Sequence, residues 1–516
     1  MKQKHLKAIR LFLSIFFLVA LAAIFLDFRE SIPVSWVHQI HGLQFIPSVI
    51  NFTVIASVSA AGFLIVLVLT LLFGRVYCSM LCPLGALQDV FTFFSRKFSI
   101  KKRFKYSLPR NFLRYGFLVL SLASLLFGSL FTLYLLDPYS NFGRILSDLG
   151  RPVVISLNNL LAGQFEKMNW FFLYKFDYKG FEWKEALFPL VMLAVLLWLS
   201  LLHGRLFCNT VCPAGTFLGL VSRGSLFRIK MDKVSCTQCG KCSAVCKSSC
   251  IDIKKMDIDV SRCVDCYNCL KVCPSVSVGY KNAFANKVAG KTESSKREFL
   301  SKSVIFILAL AGISRKTTAQ GGIGDALIPV QKKHPVSPPG SVSLAHFNIH
   351  CTACHLCVTA CPSQVLQPSF LEYGFTGMLQ PHLDFSVGFC EYECTKCGEV
   401  CPTGAILPLT LEDKKLTQMG KVNFIIRNCV VYTDETSCGS CAEHCPTQAV
   451  RMVPYKEGLT IPETHPSTCI GCGACEHVCP AKPNKAIYVD GNPVHKVARE
   501  PEFEKMEEFK SEEFPF

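Results

Sequence analysis

The chain has 516 residues, a hydrophobic content of 50%, a mean hydropathy of +0.33 and a formal net charge of +16. Its 29 cysteines occur in short clusters. This pattern argues against a disulfide framework and indicates soft metal centres. Because many basic residues flank apolar segments, as topology signals do, the charge does not indicate nucleic-acid binding.

Four apolar segments in the first 202 residues predict four membrane-spanning helices. They are Leu11–Leu26, Phe52–Phe73, Tyr115–Leu136 and Leu187–Leu202. The first could also be a cleaved signal peptide, but the three that follow favour an uncleaved anchor. The loop 74–114 is strongly basic, whereas 137–186 balances acids and bases. The positive-inside rule therefore puts the N-terminus and loop 74–114 in the cytoplasm and loop 137–186 outside.

The same motif follows the second and the fourth apolar segments, as GRVYCSMLCPLG and GRLFCNTVCPAG. The shared pattern indicates an internal two-fold repeat of helix pairs rather than two chance helix ends. On a helix, three intervening residues would put both cysteines of a motif on one face. Together the two motifs could supply four thiolates to one centre, from Cys78, Cys82, Cys208 and Cys212.

Two cysteine runs, at 236 and 263, have the spacing of a two-cluster ferredoxin, in which the last cysteine of each run serves the other cluster. One predicted set is Cys236, Cys239, Cys242 and Cys273, and the other is Cys263, Cys266, Cys269 and Cys246. Lys247 stands where a proline would follow the first run. Cys250 is left over, either as a buried spare thiol or as an alternative ligand.

The chain then changes character between the two groups of cysteine runs. The apolar core Ser303–Ile313, preceded by Lys296 and Arg297, is similar to an export signal, and the alternative is a short soluble helix or linker. We expect the segment 296–315 to cross the membrane, and the stretch HPVSPPGSVS to form an extended joint.

Four further runs, each ending in Cys-Pro, predict four more cubane clusters. Their cysteines are Cys351, Cys354, Cys357, Cys361; Cys390, Cys394, Cys397, Cys401; Cys429, Cys438, Cys441, Cys445; and Cys469, Cys472, Cys475, Cys479. The pairing between these runs stays open. The first run also spells a haem c attachment motif that ends at His355, but haem would strand two of its cysteines. Zinc fits any isolated set of four cysteines, but six regular runs disfavour it.

These motifs resemble two known partner proteins. Residues 1–280 resemble the NapH/MauN-type membrane protein, with its helices, two Cys-x-x-x-Cys-Pro motifs and two-cluster ferredoxin. Residues 291–495 resemble the NapG/MauM-type ferredoxin, through the export-like leader, SPPGSVSLAHFNIHCTACHLCVTACP, CEYECTKCGEVCPTGAI and CIGCGACEHVCP. The resemblance implies a fused quinol dehydrogenase module in the bacterial inner membrane. It would pass electrons from membrane quinol to a periplasmic reductase or c-type cytochrome.

The predicted fold is therefore multi-domain: an α-helical membrane domain of four helices with an internal two-fold repeat, and α+β ferredoxin-like [4Fe–4S] domains. The predicted boundaries are 1–230 for the membrane domain, 231–285 for a cytoplasmic ferredoxin, 286–345 for the connecting segment, 346–495 for a periplasmic ferredoxin and 496–516 for a charged tail. We expect six clusters and hypothesise a seventh, because 29 cysteines equal seven fours plus Cys250. At about −2 each, the clusters would cancel much of the positive charge.

Quinol oxidation requires a pocket and a proton acceptor beside a cluster. Arg75, His203 and Arg205 near the inner face are the candidates, followed by His38 and His41 near the outer face. A lone histidine is more often structural, and the arginines also satisfy the positive-inside rule. The alternative function is a non-catalytic iron–sulfur assembly or redox-maintenance factor. The loop 137–186 has no cysteine or histidine to handle a metal, which disfavours this alternative.

Overall fold

The computed structural model describes residues 4–29, 31–56, 61–98, 103–178, 183–283 and 329–500. They form a helical part, a first ferredoxin (227–283) and a second ferredoxin (329–500). The segment 296–315, predicted to cross the membrane, and most of the predicted tail 496–516 lie outside the described residues.

The helical part is built from helices of very different lengths. They are α1 (Lys4–Leu26), α2 (Val34–Gly42), α3 (Phe45–Ile55), α4 (Gly62–Phe73), α5 (Val76–Met80), α6 (Pro83–Lys97), α7 (Asn111–Leu126), α8 (Phe131–Leu136), α9 (Pro138–Arg144), α10 (Arg151–Lys167), α11 (Trp183–His203), α12 (Leu206–Thr210) and α13 (Pro213–Val221). A π-helical turn, Ile145–Gly150, joins α9 to α10.

Among the described helices, α1 and α11 are long and apolar enough to cross a membrane. At 1.5 Å per residue they are about 34 and 32 Å long, which matches the hydrocarbon thickness of a bilayer. Both expose large apolar side chains, including Phe12 and Trp198. The first and fourth predicted segments therefore form single helices.

The second and third predicted segments are each broken, so neither forms the single continuous helix that the hydropathy predicts. In the second, α3 ends at Ile55 before a left-handed Ala56, and α4 begins only at Gly62. In the third, α7 ends at Leu126 and the left-handed Gly128 precedes α8. Hydropathy alone missed the breaks because glycine and other small residues are apolar enough to continue the pattern while weakening the helix.

Each Gly-Arg motif bends the chain sharply at the end of α4 or α11. Gly74 and Gly204 have φ of +82° and +68°, respectively. A Cβ at Gly74 would meet the Asp265 side chain, and a Cβ at Gly204 would meet the Lys247 carbonyl. A five-residue helix follows, and Cys82 and Cys212 then cap α6 and α13, each with proline in the first turn. The two cysteines of a motif therefore lie on either side of a turn, and the expectation that one helix face carries both was wrong.

The first ferredoxin is a pair of two-stranded antiparallel sheets with short helices. Its strands are β1 (Phe227–Met231), β2 (Ile251–Asp252), β3 (Asp257–Ile258) and β4 (Val278–Asn282), and its helices are α14 (Lys241–Ala244) and α15 (Asn268–Val272). β1 pairs with β4, and β2 pairs with β3. Each short helix carries one cysteine, Cys242 in α14 and Cys269 in α15.

The second ferredoxin repeats this construction on a larger scale. Its helices are α16 (Leu344–His350), α17 (Leu356–Thr359), α18 (Lys396–Val400), α19 (Leu411–Leu416), α20 (Val430–Thr433), α21 (Ser440–Glu443) and α22 (Ala474–Val478). Its strands are β5 (Leu366–Pro368), β6 (Pro381–Leu383), β7 (Thr417–Phe424), β8 (Val450–Pro454), β9 (Thr460–Thr464) and β10 (Ile487–Val497). β5 pairs with β6, β8 with β9, and β7 with β10, all antiparallel.

The two ferredoxins contact opposite ends of α1. Near its beginning, Leu6 packs against the hydrophobic core of the first ferredoxin. Near its end, Phe25 lies beside Gly143 of α9, and Gly143 in turn lies against the Cys354 carbonyl of the second ferredoxin. Along α1 these two contact points, Leu6 and Phe25, are about 28 Å apart.

Candidate metal centres

Two cavities in the first ferredoxin are each lined by one of the predicted cysteine sets. Cys236, Cys239, Cys242 and Cys273 line one of them. Cys246, Cys263, Cys266 and Cys269 line the other. The last cysteine of each run crosses to the cavity formed by the other run.

Backbone conformation explains how closely spaced cysteines converge. In each of the four runs with two-residue gaps, the second and fourth residues after the first cysteine have positive φ. These pairs are Gln238 and Gly240, Asp265 and Tyr267, Ala353 and His355, and Gly471 and Gly473. Left-handed residues curl the chain so that successive side chains point to a common centre.

In the second ferredoxin the structure also interleaves the runs, which answers the pairing that the sequence left open. Electrostatic neighbours define four sets, each with three cysteines of one run and the last of another. They are Cys351, Cys354, Cys357 with Cys401; Cys390, Cys394, Cys397 with Cys361; Cys469, Cys472, Cys475 with Cys445; and Cys429, Cys438, Cys441 with Cys479. Burial, together with the neighbouring thiolates, raises the pKa of Cys441 to about 12. Iron binding would therefore displace protons from these thiols.

The four cysteines of the helical part, here called the quartet, also come together. Cys78, Cys82, Cys208 and Cys212 are all buried, and their charges interact across the two motifs. Cys82 accepts a hydrogen bond from the Gly85 N–H at 3.4 Å, and Cys212 accepts one from the Gly215 N–H at 3.3 Å. N–H groups aimed at sulfur stabilise thiolates, which suits an iron–sulfur centre.

Arg75 and Arg205 are fully buried against the quartet and connect its two motifs reciprocally. Arg75 donates to the Cys208 carbonyl at 3.3 Å and lies 3.6 Å from the Cys78 sulfur. Arg205 donates to the Cys78 carbonyl. Both guanidinium groups are fully buried, and they place positive charge beside the thiolates of the quartet.

Asp89 connects three parts of the molecule beside the quartet. Its carboxylate pairs with Arg10 of α1, with Arg205 at 2.9 Å and with Lys247 of the first ferredoxin at 3.1 Å. Although burial opposes ionisation, Arg205, Lys247 and Arg10 hold the pKa of Asp89 well below its usual range. The Lys247 carbonyl also accepts the Arg205 N–H at 3.0 Å, so the residue that replaces the expected proline anchors the ferredoxin.

Cys250 lies in the cavity of the second set, with its sulfur 3.6 Å from that of Cys246. It follows the last cysteine of its run by four positions, as Ala405 and Ala449 do in their runs, and all three are about 1% exposed. Because Cys250 occupies a position where the other two runs have a buried alanine, we favour its interpretation as a spare buried thiol over that as an alternative ligand.

His355 has a partner that the sequence could not reveal. One ring nitrogen lies 2.8 Å from the Asp148 carboxylate and the other lies 2.8 Å from the Leu379 carbonyl. With both nitrogens engaged, the ring is not placed as a haem ligand. His355 instead attaches the second ferredoxin to the π-helical turn after α9.

Of the predicted quinol residues, His203 lines an open cavity. This basic pocket has a volume of about 430 Å³ and is lined by Arg103, Phe104, Lys105, Tyr106, Ser107, Leu108, Arg110, Arg114, His203, Leu206, Asn209, Thr210, Ser248, Ser249 and Arg262. The outer candidates differ: His38 is exposed, whereas His41 is buried and bonded to the Tyr139 hydroxyl at 2.7 Å. Sequence reasoning missed the 103–110 segment that forms one wall.

Within the described residues, no three or more His, Cys, Asp and Glu side chains have the spacing of a single metal ion. A cubane instead takes one thiolate at each of four iron atoms. Three family models agree with iron–sulfur clusters. A 4Fe-4S binding domain family matches residues 56–101 and 185–233, and two 4Fe-4S dicluster domain families match residues 350–406 and 436–482. The first two matches contain the quartet.

These features define a multi-cluster iron–sulfur electron-transfer protein. The methylamine utilization ferredoxin-type protein MauM of Methylophilus methylotrophus is 31% identical over 159 residues, 29% of this chain and 69% of MauM. The ferredoxin-type proteins NapF and NapG of Escherichia coli K12 are 28% and 25% identical, over 30% and 37% of this chain and 85% and 84% of their own lengths. The chain belongs to this family of NapG/MauM ferredoxin-type proteins. No solved structure is significantly similar to it.

Proposed function

We propose that this chain is a membrane-bound quinol dehydrogenase component that passes electrons one at a time to a periplasmic reductase or c-type cytochrome. The observation that carries the proposal is the linear order of the cysteine sets. In the second ferredoxin, Cys357 neighbours Cys397, Cys390 neighbours Cys472, and Cys475 neighbours Cys441. In the first ferredoxin, Cys269 neighbours Cys242. Such a row suits single-electron relay.

The six ferredoxin sets would each hold one [4Fe–4S] cluster, and the quartet would hold a seventh. Each cluster would store and release one electron. The chain's own part is to bury the thiolates, to surround them with N–H donors and cations, and to keep neighbouring sets close. The names NapF and NapG of the relatives support a nitrate-reductase-type system.

The basic pocket is the proposed quinol site. Its volume lies within the usual range for small-molecule sites. It adjoins two centres, because Asn209 follows Cys208 of the quartet and Arg262 precedes Cys263 of the first ferredoxin. The apolar side chains of Leu108 and Phe112 are exposed beside it, as a site reached from lipid requires. His203 is the proposed proton acceptor, and Arg75 and Arg205 position the quartet.

The proposed location is the bacterial inner membrane. Basic residues near the beginning of α1 and in the 74–114 loop favour the cytoplasm for that end and for the first ferredoxin. The second ferredoxin contacts the opposite end of α1, which supports a periplasmic position. Its acceptor would then be a periplasmic protein.

Quinol-driven reduction of the clusters tests the proposal. In anaerobic proteoliposomes a menaquinol analogue should bleach the clusters of the wild-type chain. His203→Gln should slow this reduction by about 100-fold or more, the usual effect of losing an acid–base group, and leave dithionite reduction intact. His38→Gln, at an exposed position away from the pocket, is the matched control and should retain the wild-type rate.

Two outcomes would contradict the proposal at different levels. If dithionite reduces the clusters but quinol does not, even with the acceptor present, the dehydrogenase assignment fails. If quinol reduces them equally fast in wild type and His203→Gln, the site lies elsewhere. Slow reduction in His38→Gln alone would then move it to the outer end.

A further inference from the structure

A buried polar bridge connects the quartet to the second ferredoxin. Tyr77 precedes Cys78, and its hydroxyl donates to the Gln44 side chain at 3.2 Å and accepts the Phe45 N–H. A short distance along the same chain, His41 bonds to the Tyr139 hydroxyl at 2.7 Å. All five residues are less than a tenth exposed.

Tyr139 brings this bridge to the first centre of the second ferredoxin. The thiolates of Cys354 and Cys401, two members of one set, interact electrostatically with its hydroxyl, as does Tyr77. Gly143, one helical turn further along α9, packs against the Cys354 carbonyl. Buried side chains of α2, α3, α5 and α9 therefore lie between the quartet and this set.

On its other side the quartet meets the first ferredoxin with equally close contacts. Arg75 donates to the Ser261 carbonyl at 3.0 Å, and Gly74 contacts Asp265, which lies between Cys263 and Cys266. Arg205 interacts electrostatically with both Cys208 and Cys266. The quartet thus lies between one set of each ferredoxin.

We infer that the chain conducts electrons across the hydrophobic layer by itself, with the quartet as the relay between the two ferredoxins. The inference rests on the part of the proposed function in which the quartet holds a cluster, and it does not depend on quinol. Tunnelling rates fall exponentially with distance, and a gap like the spacing of the two contacts along α1, roughly 28 Å, is too wide for direct transfer between the ferredoxins. A centre within the gap divides it into shorter steps.

The test uses quinone-free proteoliposomes with dithionite sealed inside and ferricyanide outside. Each dithionite ion would be oxidised to two sulfite ions, with water supplying oxygen and protons remaining inside. Its two electrons would pass singly through the chain and reduce two ferricyanide ions to ferrocyanide. Potassium and valinomycin discharge the resulting potential, so no proton has to cross. Because either orientation conducts, random insertion does not matter.

We expect the wild-type chain to bleach external ferricyanide and Cys78→Ser/Cys208→Ser to fall to the leakage rate of protein-free vesicles. Iron analysis supplies an independent readout, with about 28 iron atoms per wild-type chain and about 24 in the double variant. Cys250→Ala is the matched control for loss of a buried thiol, and it should keep both the iron and the conduction.

A wild-type chain that carries about 28 iron atoms but transfers no electrons would overturn the inference, whether or not any variant folds. Conduction that persists in a double variant with about 24 iron atoms would overturn it too. If the wild type conducts but quinol cannot reduce it, the relay stands and the quinol assignment alone fails.

Discussion

Asp89 holds Arg10, Arg205 and Lys247, which come from three different parts of the molecule. In Asp89→Asn these cations would stay buried without their counter-charge, and breaking a buried ion pair in this way costs about 3–5 kcal/mol. We therefore expect the first ferredoxin to detach more readily. Hydrogen exchange of residues 236–273 should report the lower opening free energy.

Glu166→Gln is the matched control for this loss of charge. The Glu166–Lys175 pair is 57% and 58% exposed, and exposed pairs contribute about 0–1 kcal/mol. Its effect on exchange should therefore be small. Equal exchange in Asp89→Asn, Glu166→Gln and the wild type would show that Asp89 does not hold the interface.

Two residues that look anomalous in the sequence are explained by partners far along the chain. Lys247 replaces an expected proline because its side chain and carbonyl contact Asp89 and Arg205. His355 stands inside a cysteine run because its ring bonds to Asp148. The motif spacing could identify the cysteines, but it contains no information about such distant contacts.

The helices and the cysteine runs differ in how far local pattern determines them. α1 and α11 follow directly from hydropathy, and the two sets of the first ferredoxin come together as the ferredoxin spacing predicts. Hydropathy does not predict the broken helices, because α2, α3 and α4 are stabilised by packing on one another and on the second ferredoxin. Gly62, for example, lies against the Gly42 carbonyl, and Gly404 lies against Val54.

The interleaved pairing makes a prediction about Cys401. If Cys401 completes the set of Cys351, Cys354 and Cys357, then Cys401→Ala should release those three thiols. Alkylation under mild denaturation, mapped by mass spectrometry, should label them because free thiolates react and cluster-bound ones do not. Cys390, Cys394 and Cys397 should stay protected.

Cys361→Ala is the reciprocal control for this pairing. It should expose Cys390, Cys394 and Cys397 and leave the Cys351 group protected. The opposite pattern in the two variants would show that each run binds its own cluster. Labelling of all six thiols in both variants would mean that the two centres assemble only together, and would contradict independent sets.

At the scale of the whole molecule, charge and topology support the same arrangement. The formal charge of +16 would be largely offset by seven clusters at about −2 each. Composition could therefore suggest a membrane protein with many centres, but not the order of those centres. That order depends on which ferredoxin contacts which end of α1, and such contacts arise only from the folded chain.

The arrangement predicts opposite compartments for the two ferredoxins. The basic residues Lys296, Arg297 and Lys302 precede the apolar core Ser303–Ile313, as expected for a segment whose beginning stays in the cytoplasm. Protease sites inserted into the full chain at about residues 285 and 325 test this positive-inside prediction. Inside-out vesicles should be cut only at the first site and spheroplasts only at the second. If both sites are cut from the same side, the connecting segment does not cross, and electrons carried outward would have to leave through another protein.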